Sequence, residues 1–278
     1  MSGASGGGTR IAMTNRTAEK RPWEPALRGD CRLPPALRAA AAWLSCLAFS
    51  VLIAAACTRQ PTGDEIVGRM LEALGTESAR ANVRSLRTIA EGSGPNGLFV
   101  TSVTSIRPDT VYFHQQTGLG VTEIWSTPER TWGGSSREAY ADFGPSVREF
   151  VRNHEFHLLL LDVRERFSGF TLEGTDTVDE EPCLRVAMTD GRGNDASLCV
   201  SEDDWLPLQL TLDSPEAVGP IRIEFADWRE VDGLELFHSF LLHEGPDDVF
   251  TYDYVEISPS SFGQEIEIPS PSLPERRR

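Results

Sequence analysis

Residues 182–202 read PCLRVAMTDGRGNDASLCVSE. Leu184, Val186 and Met188 alternate with Cys183, Arg185 and Ala187, and beyond DGRGND, Leu198 and Val200 alternate with Ser197, Cys199 and Ser201. A period of two on either side of a Gly/Asn/Asp cluster predicts a β-hairpin. Setting Cys183 opposite Cys199 also sets Leu184 opposite Leu198 and Val186 opposite Ala196. This register pairs sulfur with sulfur and apolar with apolar. A disulfide needs Cβ atoms ~3.5–4.5 Å apart, so some strand adjustment is expected. The alternative is two free buried thiols.

The same chemistry continues outward. LRTIAEG (86–92), GLFVTSVTSIRP (97–108) and TVYFHQQ (110–116) are rich in β-branched and aromatic residues and are separated by SGPN and RPD turns. VTEIWST (121–127) and RTWGGSS (130–136) read as a further hairpin. After the central hairpin come LPLQLTLDS, PIRIEFADWREVDG, LELFHSFLLHEG and DVFTYDYVEIS, preceded by FTLEGTDTV. Leu208, Leu210 and Leu212, like Ile221, Ile223 and Phe225, give one apolar and one polar face, so a meandering antiparallel sheet is expected. LFHSFLLHE (236–244) is apolar on both: Leu236, Phe240 and Leu242 on one face, Phe237 and Leu241 on the other. One set can pack under helices and the other line a cavity, or both are core.

Two segments break the β pattern. In PTGDEIVGRMLEALG (61–75), Thr62 and Glu65 form a capping box. Ile66, Val67, Met70, Leu71 and Leu74 form one apolar helical face, which Gly75 closes. A short helical turn over 77–83 is expected next. In PSVREFVRNHEFHLLLLD (145–162), Val147, Phe150 and Val151 have helical spacing and lead into an apolar run, a mid-chain helical insertion.

Upstream, residues 39–62 read AAAAWLSCLAFSVLIAAACTRQPT, uncharged from Ala39 to Ala56. Small residues precede Cys57, and a polar, Pro-containing stretch follows. The pattern resembles a bacterial lipoprotein signal, whose lipobox cysteine is acylated and becomes the mature N-terminus. It departs from that pattern at Ala54, where Leu is preferred. An uncleaved single-pass anchor and an ordinary signal peptide are the alternatives, and all three export the rest of the chain. Residues 1–38, rich in Gly, Pro and Arg, read as a disordered or mis-annotated extension, 57–61 as a lipidated linker and 269–278 as a disordered tail.

The formal net charge is −16, and residues 58–278 hold 19 basic against 39 acidic groups. Such a field repels nucleic-acid phosphate, so no nucleic-acid partner is expected. Past Cys57 only Cys183 and Cys199 remain, and an oxidising compartment favours their pairing. Two thiols without a nearby histidine pair do not make a zinc site, and His154 with His157 lacks a supporting carboxylate arrangement. No G-x-S-x-G elbow, P-loop or H-E-x-x-H occurs, so the chain reads as no enzyme, with no cofactor and no metal.

The order of parts, DEIVGRMLEALG, a helical break, the hairpin ending in SEDDWLPLQL, ADWREVDGLELF and YDYVEIS followed by Phe262, resembles the LolA/LolB-like periplasmic lipoprotein-carrier superfamily over residues 62–268. The resemblance implies an α+β fold, an unclosed antiparallel β-barrel (half-barrel) with helices covering the concave face. It also implies an apolar cavity for the acyl chains of a lipid or lipoprotein. Candidate lining residues are Ile66, Met70, Trp125, Trp132, Phe150, Leu159, Phe237 and Leu241, with Cys57 the lipid attachment site. The expected function is an envelope lipoprotein that binds lipid or acylated protein, anchored by its N-terminal lipid and facing the periplasm, at the outer membrane. The second reading, suggested by the RseB-like branch, is a non-enzymatic module of the same fold that docks a partner protein or senses the envelope.

Overall fold

The computed structural model describes residues 59–261 except 136–137, 145–146, 149–150, 152–154, 214–218 and 246–247. The chain divides after Arg59 into two units, and the elements below belong to the second. Two helices open it, α1 (Gly63–Ala73) and α2 (Glu77–Asn82), followed by β1 (Ser85–Gly94), β2 (Gly97–Ile106), β3 (Thr110–Thr117), β4 (Gly120–Ser126), β5 (Thr131–Ser135) and β6 (Glu138–Phe143). After α3 (Phe156–Leu161) and α4 (Val163–Arg166) come β7 (Phe167–Val178), β8 (Glu181–Asp190), β9 (Asp195–Ser201), β10 (Pro207–Leu212), β11 (Ile221–Val231), β12 (Leu234–Glu244) and β13 (Asp248–Ser260).

The strands form one 13-stranded antiparallel sheet in the order β6-β5-β4-β3-β2-β1-β13-β12-β11-β10-β9-β8-β7. It is a meander broken once. β1 to β6 run outward to one edge, β7 to β13 start at the other edge and run back, and the seam is the pairing of β1 with β13. β6 and β7 do not pair, so the barrel is unclosed, as the sequence resemblance implies. Residues 144–166 join the two free edges.

α1 starts where its chemistry dictates. The Thr62 hydroxyl accepts from Glu65 N (3.2 Å) and the Thr62 N–H donates to Glu65 Oε2 (2.7 Å), the capping box expected. Ile66, Val67, Met70 and Leu71 are its buried residues beyond Gly63. A Cβ on Gly63 would lie 2.5 Å from the backbone of Phe170, so the helix touches β7 only because this residue lacks one. α3 is apolar at five of six positions and buried at all six.

The central hairpin forms with a register two residues from the expected one. Cys183 pairs with Ser201, Leu184 with Val200, Arg185 with Cys199, Val186 with Leu198 and Met188 with Ala196. This arrangement sets three apolar pairs on one face where the expected one set two. The turn fixes it: the Asp190 carboxylate accepts from the backbone N–H groups of Arg192 and Asn194 at 2.8 Å, and its N–H donates to Asn194 O. A slip of two leaves every side chain on its face, so the cysteines still meet, diagonally, with Cα atoms 5.4 Å apart, and form the disulfide.

Candidate functional site

The helix-bearing face carries two apolar clusters. The larger joins Ile66, Val67 and Met70 of α1 and Leu158, Leu159 and Leu160 of α3 to Leu198, Leu210, Ile223, Phe237, Phe240 and Leu242. Phe156 meets Phe240 edge-on at 5.4 Å, and Phe240 stacks on Tyr252 at 4.3 Å. The smaller gathers Val103, Val111 and Val151, with Phe113, Ile124 and Val147 against it. These clusters lie beneath the segment that joins the free edges.

Polar groups lock that segment to the sheet. Glu155 caps α3, accepting from Leu158 N at 2.6 Å, and its other oxygen lies 3.2 Å from His157 Nδ1. His157 Nε2 donates to the carbonyl of Phe237 at 2.9 Å. Tyr254 packs edge-on to His157 at 4.8 Å, and burial, with the charge of Glu155 adding to it, pushes its hydroxyl far up. Burial likewise raises Tyr252, so both phenols stay neutral.

Beside α1, α2 and α4 opens a cleft of about 900 Å³ whose lining includes Leu71, Ala81, Pro108 and Leu161 together with Arg80, Arg84, Arg107, Arg164 and Arg166. Arg107 organises one wall. Its Nη1 donates to the carbonyls of Arg80 and Val83 at 2.7 Å each, and its Nε donates to Asp162 Oδ2 at 3.1 Å, while Nη2 binds the other carboxylate oxygen. One guanidinium thus ties the end of α2 to the α3–α4 junction. Glu165, also on the cleft, is held above the usual carboxylate range by burial and by the neighbouring charge of Asp162.

The expected lining residues do not gather at one place. Ile66, Met70, Leu159 and Phe237 are fully buried together in the larger cluster. Trp125 and Trp132 lie on the opposite face of the sheet, contrary to the expected cavity. Val111 and Phe113 point to the helix side, so Tyr112 between them and its cross-strand neighbours Trp125 and Trp132 point away. There they form a stack, Tyr112 to Trp125 at 5.1 Å and Trp125 to Trp132 at 6.2 Å, with the Arg130 guanidinium 4.7 Å over Trp132.

Leu241 also points away from the helices, since it pairs with Glu224 beside Leu242 and Ile223, which face them. Phe237 and Leu241 were expected on one face. The structure separates them because the pairing of β11 with β12 skips Asp227, at φ +55°, opposite His238, and alternation breaks at that step. Leu236 and Phe237, consecutive residues, are accordingly both buried. Cys57 and Phe150 lie outside the described residues.

Among the described residues no group of three or more His, Cys, Asp or Glu could hold a metal ion. No described helix is long and apolar enough to cross a membrane, and the apolar run 39–56 lies outside them. The arginine-lined cleft was missed in the sequence. Its signal was the concentration of arginine at 80, 84, 164 and 166 in an acidic chain, but these positions come from distant segments.

No family model and no curated protein matches the chain. Solved structures do. A DUF1329 family protein from Desulfovibrio piger is 15% identical, with a TM-score of 0.52 over 76% of this chain and 98% of that one. A LolA superfamily protein from Nitrosomonas europaea is 12% identical, with a TM-score of 0.52 over 74% of this chain and 97% of that one. At these identities the likeness is one of fold, and the fold is the one implied by the sequence resemblance.

Proposed function

We propose that this chain is a cell-envelope lipoprotein, acylated at Cys57 and facing the periplasm at the outer membrane. Its domain, residues 62–268, holds the acyl chains of a lipid or lipoprotein between the sheet and its helices, without enzymatic chemistry. The observation that carries the reading is α3. This helix, buried at every residue, lies in the segment that joins the free edges of an unclosed sheet and rests on an apolar face that a second helix, α1, shares. A closed barrel would hold its interior by strand pairing. Here the cover is a strap, and shifting it exposes apolar sheet to a chain that contributes ~0.8 kcal/mol per buried methylene. The shared fold with a LolA superfamily protein and the small residues before Cys57 support the same reading.

Native mass spectrometry of the full chain, extracted gently from membranes, tests it. Co-purifying lipid and a fluorescent fatty-acid affinity that rises with chain length are expected. An empty domain bound to a protein would favour the partner-docking module instead. Cys57→Ser should leave uncleaved, unlipidated precursor, and mature, membrane-extractable protein of normal size in that variant would refute the anchor.

A further inference from the structure

We propose that the cleft between α1, α2 and α4 binds the phosphate head of an anionic amphiphile, with Arg80 and Arg84 as its ligands. The inference rests on the lipid-binding reading above and assigns the head a place. The domain is strongly acidic, and its arginines readily find carboxylates: Arg87 has Glu256, Arg107 Asp162, Arg130 Asp142, Arg164 Asp64, Arg185 Asp176, Arg222 Glu224 and Arg229 Asp227. Among the described residues Arg80 and Arg84 pair with no carboxylate, although Glu72 and Glu77 line the same cleft. Arg69 and Arg148 also lack one, but Arg69 stacks on Trp205 and Arg148 donates to Thr131 Oγ1 and the Pro128 carbonyl.

Arg80 is half-buried, and its Nε is shut away from solvent without any acceptor. A shielded Nε is out of reach of a ligand in the cleft, so the donors that meet a phosphate there are the terminal Nη groups of the same guanidinium. The position of Arg80 in the last turn of α2 stabilises its charge slightly but supplies no acceptor. Arg84, exposed, lies just beyond the end of that helix and faces the same space. The paired Arg107 holds the backbone carbonyls of Arg80 and Val83, so the two cations are carried on the anchored end of α2 and the residues just past it.

Leu71, Ala81, Pro108 and Leu161 lie beside them in the lining. Leu71 and Leu161 belong to the same cluster as the strap helix, so an apolar chain entering here continues under α3 while its head stays at the arginines. The chemistry selected is a phosphate with a free negative face joined to an apolar chain. In a domain whose overall field repels anions, only an uncompensated local pair makes such a head welcome.

The test is calorimetric titration of the full chain in a non-ionic detergent with dioctanoyl phosphatidic acid, dioctanoyl phosphatidylcholine and inorganic phosphate. Phosphatidic acid should bind most tightly and inorganic phosphate far more weakly. The Arg80→Gln/Arg84→Gln pair should weaken phosphatidic acid by about tenfold or more. Phosphatidylcholine should fall less, and Arg87→Gln, on the far face, should change neither. Arg84→Gln alone, at an exposed side chain that folding does not need, should weaken phosphatidic acid as well. If phosphatidic acid binds the arginine variants as it binds the unmodified chain, the head site is overturned and the lipid reading stands. If inorganic phosphate matches phosphatidic acid, the cleft is a free-anion site and the proposal fails. If the unmodified chain binds neither lipid, the lipid reading itself has failed.

Discussion

His157 lies flat on Phe237, ring centroids 3.9 Å apart and planes 3° from parallel, while its Nε2 donates to the carbonyl of that same residue. One side chain of the strap thus grips both the ring and the backbone of β12. A carbonyl only accepts, so the proton on Nε2 is fixed by its partner.

His157→Ala removes the ring from a fully buried site, takes its donor from the Phe237 carbonyl and leaves Glu155 with the Leu158 N–H alone. A loss of about 2–4 kcal/mol is expected in urea unfolding. His157→Phe refills the site with a somewhat larger ring and loses the hydrogen bonds. It should recover part of the stability, and full recovery would show that packing alone holds the strap.

The Cys183–Cys199 bridge closes a short loop, with a sequence separation of 16. By chain entropy its reduction should cost about 3 kcal/mol, read as a lowered unfolding midpoint under reductant. Thiol labelling of denatured, unreduced protein should find neither cysteine reactive.

Asp190 sets the hairpin turn, and its carboxyl is depressed. Burial raises it, but hydrogen bonds from the Asn194 side chain and from the N–H groups of Asn194, Arg192 and Gly193 outweigh that effect. A depressed carboxyl contributes stability that is present above its ordinary value of 3.8 and is lost as pH falls through the folded value. Asp190→Ala should therefore lower the thermal midpoint at pH 7 and flatten its fall between about pH 4 and pH 2. An unchanged slope would remove the turn from the account of acid sensitivity.

Gly63→Ala places a methyl group where the Phe170 backbone stands, with no flexible side chain to yield. Helix propensity would gain from the change, ~1 kcal/mol at an open site. Here the clash should win, giving net destabilisation of about 1–3 kcal/mol in denaturant unfolding, because α1 must lift from β7.

Local chemistry made much of this legible. The capping box placed α1 to the residue, and alternation placed the strands and their faces around the central hairpin. Register was not legible there, because alternation distinguishes odd from even slips but not a slip of two, and the Asp190 turn decided it. LFHSFLLHE misled for the opposite reason. Its two apolar faces reflect a break of alternation enforced by Asp227 on the neighbouring strand, invisible in β12 itself. Trp125 and Trp132 looked like cavity residues because aromatic size is visible in sequence and sheet side is not. The cleft escaped because Arg80, Arg107 and Arg164 meet only through the packing of helices against a turn.

The seam of the sheet couples Ser85 to Ser260, the first and the last residues of its strands. As the polypeptide emerges from its N-terminus, β1 to β6 can pair in sequence, yet β1 has one edge open until β13 arrives. The middle of the finished sheet is the last part to be completed. The two runs of strands are joined by a pairing over the longest separation in the fold, a contact whose loop-closure cost comes before its reward. A chain shortened before β13 would end as two edges with nothing between them.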